Sequence, residues 1–284
     1  MRRWRSGLGL LPVLFWLSLF LVVPMLIVVV ISFMGRDELG NVVFTFQASS
    51  YATFFDSLYL GIYWDTIVLS VVTTVLCLLF SYPLAYYIAN AGPRMQTWGL
   101  ALITIPFWIN FLIRTYAWVL LLRTQGVVNN LLIQFGWINE PLQLLYTKGA
   151  VLLGMVYTFI PFMVLPIYVA LEQMDKRLLE AADDLGATRW KSFWHITLPQ
   201  TKSGIMTGSV LVYVSTSGMF VVTDILGGAK SAMISNIIQS QFLGARNWPF
   251  GAALSVIFVI TSLVLIALFN RAMTSRHLAA KEGR

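Results

Sequence analysis

The sequence predicts an all-α integral membrane protein of six transmembrane helices, interrupted by one charged loop on the cytoplasmic side. Three observations predict it. Of 284 residues, 58% are hydrophobic and only 11% charged, where a soluble domain carries roughly a quarter charged residues. A water-soluble chain of this composition would have to bury almost every side chain, which surface-to-volume scaling forbids. Six apolar stretches reach or approach the length of about 20 residues that crosses a hydrocarbon core of about 30 Å. Finally, Lys and Arg collect in alternate inter-span segments.

Taken in order, the N-terminus MRRWRSGLGLLPVLFWLSLF begins like a secretory or twin-arginine signal. Its apolar part, Leu8 to Phe33, is too long for a signal core and has no A-x-A cleavage site, so it reads as a retained span over about 10–33. Further spans follow at about 66–89, 98–122, 149–171, 204–222 and 250–269. The apolar stretch 127–137 is half their length and reads as a short interfacial or re-entrant helix. No linker or low-complexity segment divides the chain, which predicts one membrane domain over 1–284 with a loop at 172–203. Hydropathy shows no inverted repeat of the kind many secondary transporters carry.

Thirteen Lys and Arg residues lie in the N-terminus, the second and fourth inter-span loops and the tail, against five in the opposite loops. This asymmetry predicts that both termini and the 172–203 loop are cytoplasmic. The net charge of +7 is then a topology signal, and no nucleic-acid partner is needed to explain it.

Several chemistries are excluded. The one cysteine, Cys77, lies inside an apolar run and forms neither an intrachain disulfide nor a CxxC site. Two histidines, His195 and His277, without HExxH or a second thiol give too few ligands for a catalytic metal. There is no GxxxxGK[ST], so the chain should not bind ATP by a P-loop. No catalytic constellation appears, and no cofactor is expected in this chain.

The 172–203 loop carries the strongest functional signal. Leu178, Ala182 and Leu185 recur at i, i+4, i+7 on one apolar helical face. Gly186 permits a turn that a side chain would resist. Trp190, Phe193 and Trp194 then mark a second short helix ending near Leu198-Pro199. A helix-turn-helix of this kind can lie on lipid headgroups with its tryptophans as anchors, or it can dock a protein. Small residues at Ala181 and Ala182 allow a close approach, while Glu180, Asp183 and Asp184 fit an anionic membrane surface poorly.

The order Glu180-Ala181-Ala182, Gly186, Ile196, Leu198-Pro199 resembles the EAA loop of bacterial ABC-importer permeases of the binding-protein-dependent type. PFWINFLIRTYAW, PFMVLPIY, LEAADDLGA, DILGGAK and NWPFGAA extend the resemblance, towards the polyamine (spermidine/putrescine) permease family. The resemblance implies a type I importer permease, cycling by alternating access in a bacterial inner membrane. Implied partners are a second permease subunit, two ATPase subunits that bind ATP with its Mg, an extracytoplasmic solute-binding protein and the surrounding lipid. It also implies that the loop is a coupling helix seated on the ATPase. Glu180 and its neighbours, with Ala187, Leu198 and Pro199, would then make the docking element, Ala181 and Ala182 the close fit and Gly186 the turn. The same machinery could carry an organic anion, an amino-acid derivative or a metal complex, and an ion-coupled transporter or a membrane enzyme are the other classes.

Ionisable groups at membrane depth are costly and draw functional hypotheses. Asn110 and Arg114, with Phe107 and Trp118, fall on one face if 98–122 is a single helix. Arg114 reads as a snorkelling or structurally paired arginine, or as a ligand for an anion. Asp224, beyond the fifth span, reads as a counter-charge for an amine, with Trp108 or Phe220 supplying a cation–π face and Asn110 a polar contact. It equally fits an interfacial aspartate or a partner for Arg114. After Gly227 and Gly228, the pattern Ile234, Ile237, Ile238, Gln241 predicts a short extracytoplasmic helix, as a gate or a docking surface for the binding protein. Pro83, Pro106, Pro161 and Pro166 lie inside spans, where neighbours must satisfy the freed carbonyls.

Overall fold

A computed structural model describes residues 11–37 and 40–282. Arg2, Arg3, Arg5 and Arg284, which enter the charge asymmetry, lie outside them. Contacts divide the chain expected to be one domain into two units, residues 1–62 with 236–265 and residues 63–235 with 266–284. Helices α3 (Ser57–Ala89) and α13 (Trp248–Glu282) each begin in the first unit and end in the second. Among the described residues four helices are long and apolar enough to cross a membrane, and six spans result if each of two bent pairs counts as one.

In the first unit, α1 is helical over Leu11–Leu17 and Val23–Ser32 with a π turn at Ser18–Val22 between them. Its apolar surface is exposed along most of its length. At its end the Ser32 hydroxyl donates to Val29 O and meets the Tyr51 hydroxyl at 2.7 Å, which ties α1 to α2 (Ser49–Phe54). Between them lies an antiparallel hairpin of β1 (Gly35–Arg36) and β2 (Val42–Val43). Its turn is held by Asp37, whose carboxylate accepts from the Asn41 backbone and side-chain N–H groups. Two-residue strands have no readable periodicity, so the hairpin was not expected. The helix predicted from Ile234, Ile237, Ile238 and Gln241 forms over Ile234–Leu243, as α12.

The second unit is built on α7 (Lys148–Glu172), which buries twelve residues. Thr147 starts it, accepting from Ala150 N at 3.1 Å. A stripe of small residues on α3, Ser70, Thr73, Cys77, Ser81 and Ala85, is buried, and Thr73 in it reaches Met155 of α7. The side chains of Cys77 and Ser81 donate to the α7 carbonyls of Val156 and Ile160. Helix α10 (Lys202–Ser217) packs along α7. A Cβ at Gly204 would lie 2.5 Å from Pro166 O and 2.7 Å from Ala170 Cβ, and one at Gly208 would lie 2.7 Å from Met163 Sδ. Gly204 and Gly208 thus form a G-x-x-x-G pair that lets two backbones approach.

Two predicted spans are bent. The stretch 98–122 is α4 (Pro93–Trp108) followed by α5 (Phe111–Leu122). The axis turns by 92° between α4 and the run Phe111–Gln134, which includes α6 (Val127–Gln134). Pro106 removes a backbone donor in the last turn of α4. Ile109 and Asn110 are extended, and Asn110 caps α5 by accepting from Leu112 N at 2.9 Å. This corrects the single face expected for Phe107, Asn110, Arg114 and Trp118: Phe107 belongs to α4, Asn110 to the break, and Arg114 and Trp118 to α5. The fifth stretch turns by 55° between α10 and the run Phe220–Gly227. That run is a short α turn (α11, Phe220–Val222) entering a π turn at Thr223–Gly227.

The α7–α10 contact gives a direct test. Gly204→Val is expected to cost about 1–3 kcal/mol through overpacking, read as a lower midpoint of thermal unfolding in detergent. A Cβ at Gly61 on α3 would meet nothing within 4 Å, so Gly61→Ala should leave the midpoint unchanged or raise it slightly. Equal midpoints for Gly204→Val and the unaltered protein would show that the contact does not depend on close approach.

Candidate functional site

The loop leaving α7 contains α8 (Arg177–Asp184) and α9, which is α-helical over Arg189–Ser192, a π turn over Phe193–Thr197 and α-helical again over Leu198–Gln200. Asp175 Oδ1 accepts from Arg177 N at the start of α8, and Thr188 Oγ1 accepts from Lys191 N at the start of α9. Between them Gly186 has φ +74°. Its N–H donates to Asp183 O, and the N–H of Ala187 donates to Ala182 O. These two bonds make a Schellman termination, in which the residue after the C-cap takes the left-handed conformation. A Cβ at Gly186 would meet nothing within 4 Å. Glycine is therefore required here by dihedral angle and not by space.

The helix-turn-helix presents a mixed face to its surroundings. Glu180, Ala181, Asp183 and Asp184 are exposed, and Ala182 and Ala187 are half-buried. Leu185 is 88% exposed and Trp190 70%. The apolar stripe at Leu178, Ala182 and Leu185 is only partly covered by this chain. Beyond the turn the loop is fastened to the spans. Phe193 packs its ring against the edges of Tyr82 and Tyr86, with centroids 5.6 and 6.1 Å apart. The Tyr82 hydroxyl lies 3.0 Å from Thr201 Oγ1, which donates to Thr197 O. Pro199 has no N–H to complete an α turn. The π turn accommodates it, with Leu198 N donating to Phe193 O.

A second set of predicted residues lies at the bends. Asp224 is exposed in the π turn and Phe220 is half-buried one turn before it. This turn packs against both α5 and α7. Gly154 makes the approach to α7 possible, since a Cβ there would collide with Leu226 and press on Val222. Trp108 is 87% exposed at the end of α4, and Asn110 is engaged as the α5 cap. Of the two aromatics expected beside Asp224, Phe220 stands one turn before it and Trp108 ends a different helix. Among the described residues no ion pair joins Arg114 to Asp224. The Arg114 guanidinium carbon lies 5.6 Å from the Phe107 ring centroid, across the α4–α5 break, and its buried Nε has no hydrogen-bond partner among the described residues.

Tyr82 and Thr201 were not singled out from sequence, and Phe193 was read only as part of the second loop helix. The aromatic-plus-hydroxyl pairing is visible only once α3 and the loop meet, since Tyr82 and Thr201 are 119 residues apart. Asn129 was missed as well. It is fully buried, its Nδ2 donates to Leu142 O and its Oδ1 accepts from Leu142 N, both at 2.9 Å, which pins α6 to the segment leading into α7.

Residues 81–276 match the family described as binding-protein-dependent transport system inner membrane component. The chain is 40% identical over 257 residues, 90% of each chain, to the spermidine/putrescine transport system permease protein PotB of Haemophilus influenzae. It is 38% identical to the protein of the same name from Escherichia coli K12, covering 90% of this chain and 94% of that one. Among solved structures, a bacterial ABC transporter involved in import of the acidic polysaccharide alginate has a chain that superposes with a TM-score of 0.80 at 20% identity, over 96% of both chains. A chain of the inward-facing MetNI methionine ABC transporter superposes with a TM-score of 0.56 at 15% identity, over 75% of this chain and 93% of that one.

Because Gly186 is set by its dihedral angle, Gly186→Val is expected to strain the turn by about 1–2 kcal/mol, the cost of the left-handed region for a residue with a Cβ. The Schellman bonds should open more often, and amide hydrogen exchange at Ala187 should accelerate about tenfold, which corresponds to about 1.4 kcal/mol. Gly186→Asn, which tolerates this region better, should show a smaller change. An unaltered Ala187 exchange rate in Gly186→Val would mean that the turn does not hold this conformation.

Proposed function

The chain belongs to the family of binding-protein-dependent transport system inner membrane components, and from that premise we propose that it imports polyamines as the permease subunit of an ATP-driven complex. The complex would contain a second permease, two ATPase subunits and an extracytoplasmic binding protein. The observation that carries the coupling role is the Schellman-capped helix-turn-helix, which leaves Leu185, Glu180, Asp184 and Trp190 outward. A groove on a cytoplasmic ATPase would cover them. ATP and its Mg would be bound and hydrolysed there, and this chain would work mechanically.

In this reading Ala181 and Ala182 allow the ATPase surface to approach α8, and Gly186 fixes the angle between α8 and α9. Leu198 and Pro199 join α9 to α10. Movement of the loop would be delivered to α3 through Phe193, Tyr82 and Thr201, as well as to α7 and α10, from which the loop departs and to which it returns. The basic-residue asymmetry supports a bacterial inner-membrane orientation with both termini and the loop in the cytoplasm. The orientation is testable with single cysteines read by an impermeant thiol reagent, the buried Cys77 remaining silent. Cysteine at exposed Glu140 should be labelled on intact cells, and cysteine at exposed Asp184 only after the membrane is opened. The reverse pattern would invert the topology.

Polyamine cargo is supported by the names of the relatives and by Asp224, a carboxylate one turn from Phe220, which can hold an ammonium by charge and by its ring face. One observation favours another cargo in the same machine: Arg114 has an unsatisfied Nε among the described residues and would suit an organic anion. The two readings separate in uptake by the assembled complex. Asp224→Asn is expected to lower polyamine uptake about tenfold, equivalent to about 1.4 kcal/mol, while the complex still assembles. Polyamine uptake unchanged below half-saturation, together with organic-anion uptake lost in Arg114→Gln, would replace the polyamine reading by the anion reading.

A further inference from the structure

A cleft of about 120 Å³ opens between α3, α7 and the segment that follows the Asp224 turn. Its polar groups are few. Asp65 stands at one end, where Lys148 Nζ donates to its Oδ2 at 2.8 Å. Ser231 lines the cleft, is 7% exposed, and its buried Oγ has no hydrogen-bond partner among the described residues. The walls include Val68 and Val72 of α3 and Val151 of α7. From Asp65 to Val72 the helix rises about 10 Å, enough for a chain of several methylenes.

The arrangement is built and not incidental. Ile234 N donates to Thr66 Oγ1 at 2.9 Å, next to Asp65. Gly227 brings the backbone so close that a Cβ there would lie 2.6 Å from Ser231 Cβ and 2.7 Å from Val151 Cγ2. These contacts fix Ser231 against α7. Asp65 and Lys148 are both half or more exposed, with side chains 55% and 62% accessible. Such a pair contributes little to stability, so its cation can be exchanged at small cost. Lys148 itself is a primary ammonium on a four-carbon stem, and it shows in place what the carboxylate accepts.

We propose that this cleft is a seat for a primary alkylammonium. Asp65 is its counter-ion, Ser231 Oγ is a neutral acceptor, the valines contact the methylene chain, and Lys148 occupies the carboxylate until cargo displaces it. The proposal rests on the polyamine reading and adds a second cargo contact to Asp224. In the proposed orientation the Asp65 end of α3 faces the extracytoplasmic side, where cargo arrives. A flexible diamine suits the cleft because one ammonium meets Asp65 while the chain lies along apolar wall, an arrangement that an anion of equal length would reverse unfavourably.

The test uses the complete complex in proteoliposomes, with Ala232→Cys, which lines the same cleft, as a reporter for a small thiol reagent and 1,4-diaminobutane as the probe. The diamine should slow labelling, butylamine should do so more weakly, and butanoate should not. Lys148→Met should lower the half-protecting diamine concentration at least tenfold, and Asp65→Asn should abolish protection. If the complex imports diamine but labelling is indifferent to it, and Lys148→Met changes nothing, the cleft is no ammonium seat. Should the complex import an organic anion and no diamine, the cargo reading itself fails, which is a separate outcome. Lys148→Met carries the decision if Asp65→Asn does not fold.

Discussion

The structure of the second unit depends on how closely α10 approaches α7. In lipid there is no hydrophobic force to drive one apolar helix against another, so association rests on packing contacts and hydrogen bonds. Gly204 and Gly208 supply the first by removing the atoms that would hold the two backbones apart. Gly154 does the same for the turn carrying Val222 and Leu226. The small buried stripe of α3 adds side-chain bonds to α7 carbonyls. Helix α7 is consequently fixed on several sides, and the 172–203 loop starts from its end and returns at the start of α10. A closely packed pair of spans sets the distance between the two ends of the loop.

Irregular backbone has an identifiable partner at three places. Lipid-exposed peptide groups cannot be left unpaired, so a bend in a span needs replacement partners. At the α4–α5 break the Asn110 side chain takes the amide of Leu112. At the base of the loop the π turn lets Leu198 N reach Phe193 O ahead of Pro199. Near Tyr146, which adopts φ +62°, the Tyr146 amide donates to Leu226 O. This bond ties the approach to α7 to the same turn that holds Asp224. Gly186, Asn110 and Asp224 therefore lie where the backbone departs from a straight helix.

Much of this was legible in sequence, and the reason is periodicity. The six stretches, the short helices after Gly126 and Met233 and the turn at Gly186 follow from apolar spacing and from glycine. The breaks at Trp108 to Phe111 and at Ser217 to Phe220 were not read, because hydropathy averages over them and a straight 98–122 helix has the same apolar content as a bent pair. That averaging produced the mistaken common face for Phe107 and Arg114, although the structure still brings their side chains together across the bend. The Tyr82 to Thr201 bond and the Asn129 staple depend on which distant segments meet, and no local pattern encodes that.

Charge placement at the bends follows one logic. The Arg114 guanidinium lies over the Phe107 ring, an arrangement in which the ring quadrupole partly replaces solvent around the cation. The contact joins α4 to α5 across a break where the axis turns by 92°, four residues on from the Asn110 cap. A fixed positive charge there disfavours a second cation beside it, since like charges in a low dielectric repel strongly. The carboxylates of Asp65 and Asp224 lie elsewhere, on α3 and on the turn after α10. On the proposed polyamine reading, this would separate places that attract the cargo from one that does not. On the same reading a polycation would meet repulsion beside the arginine and find its counter-charges where the acidic residues stand.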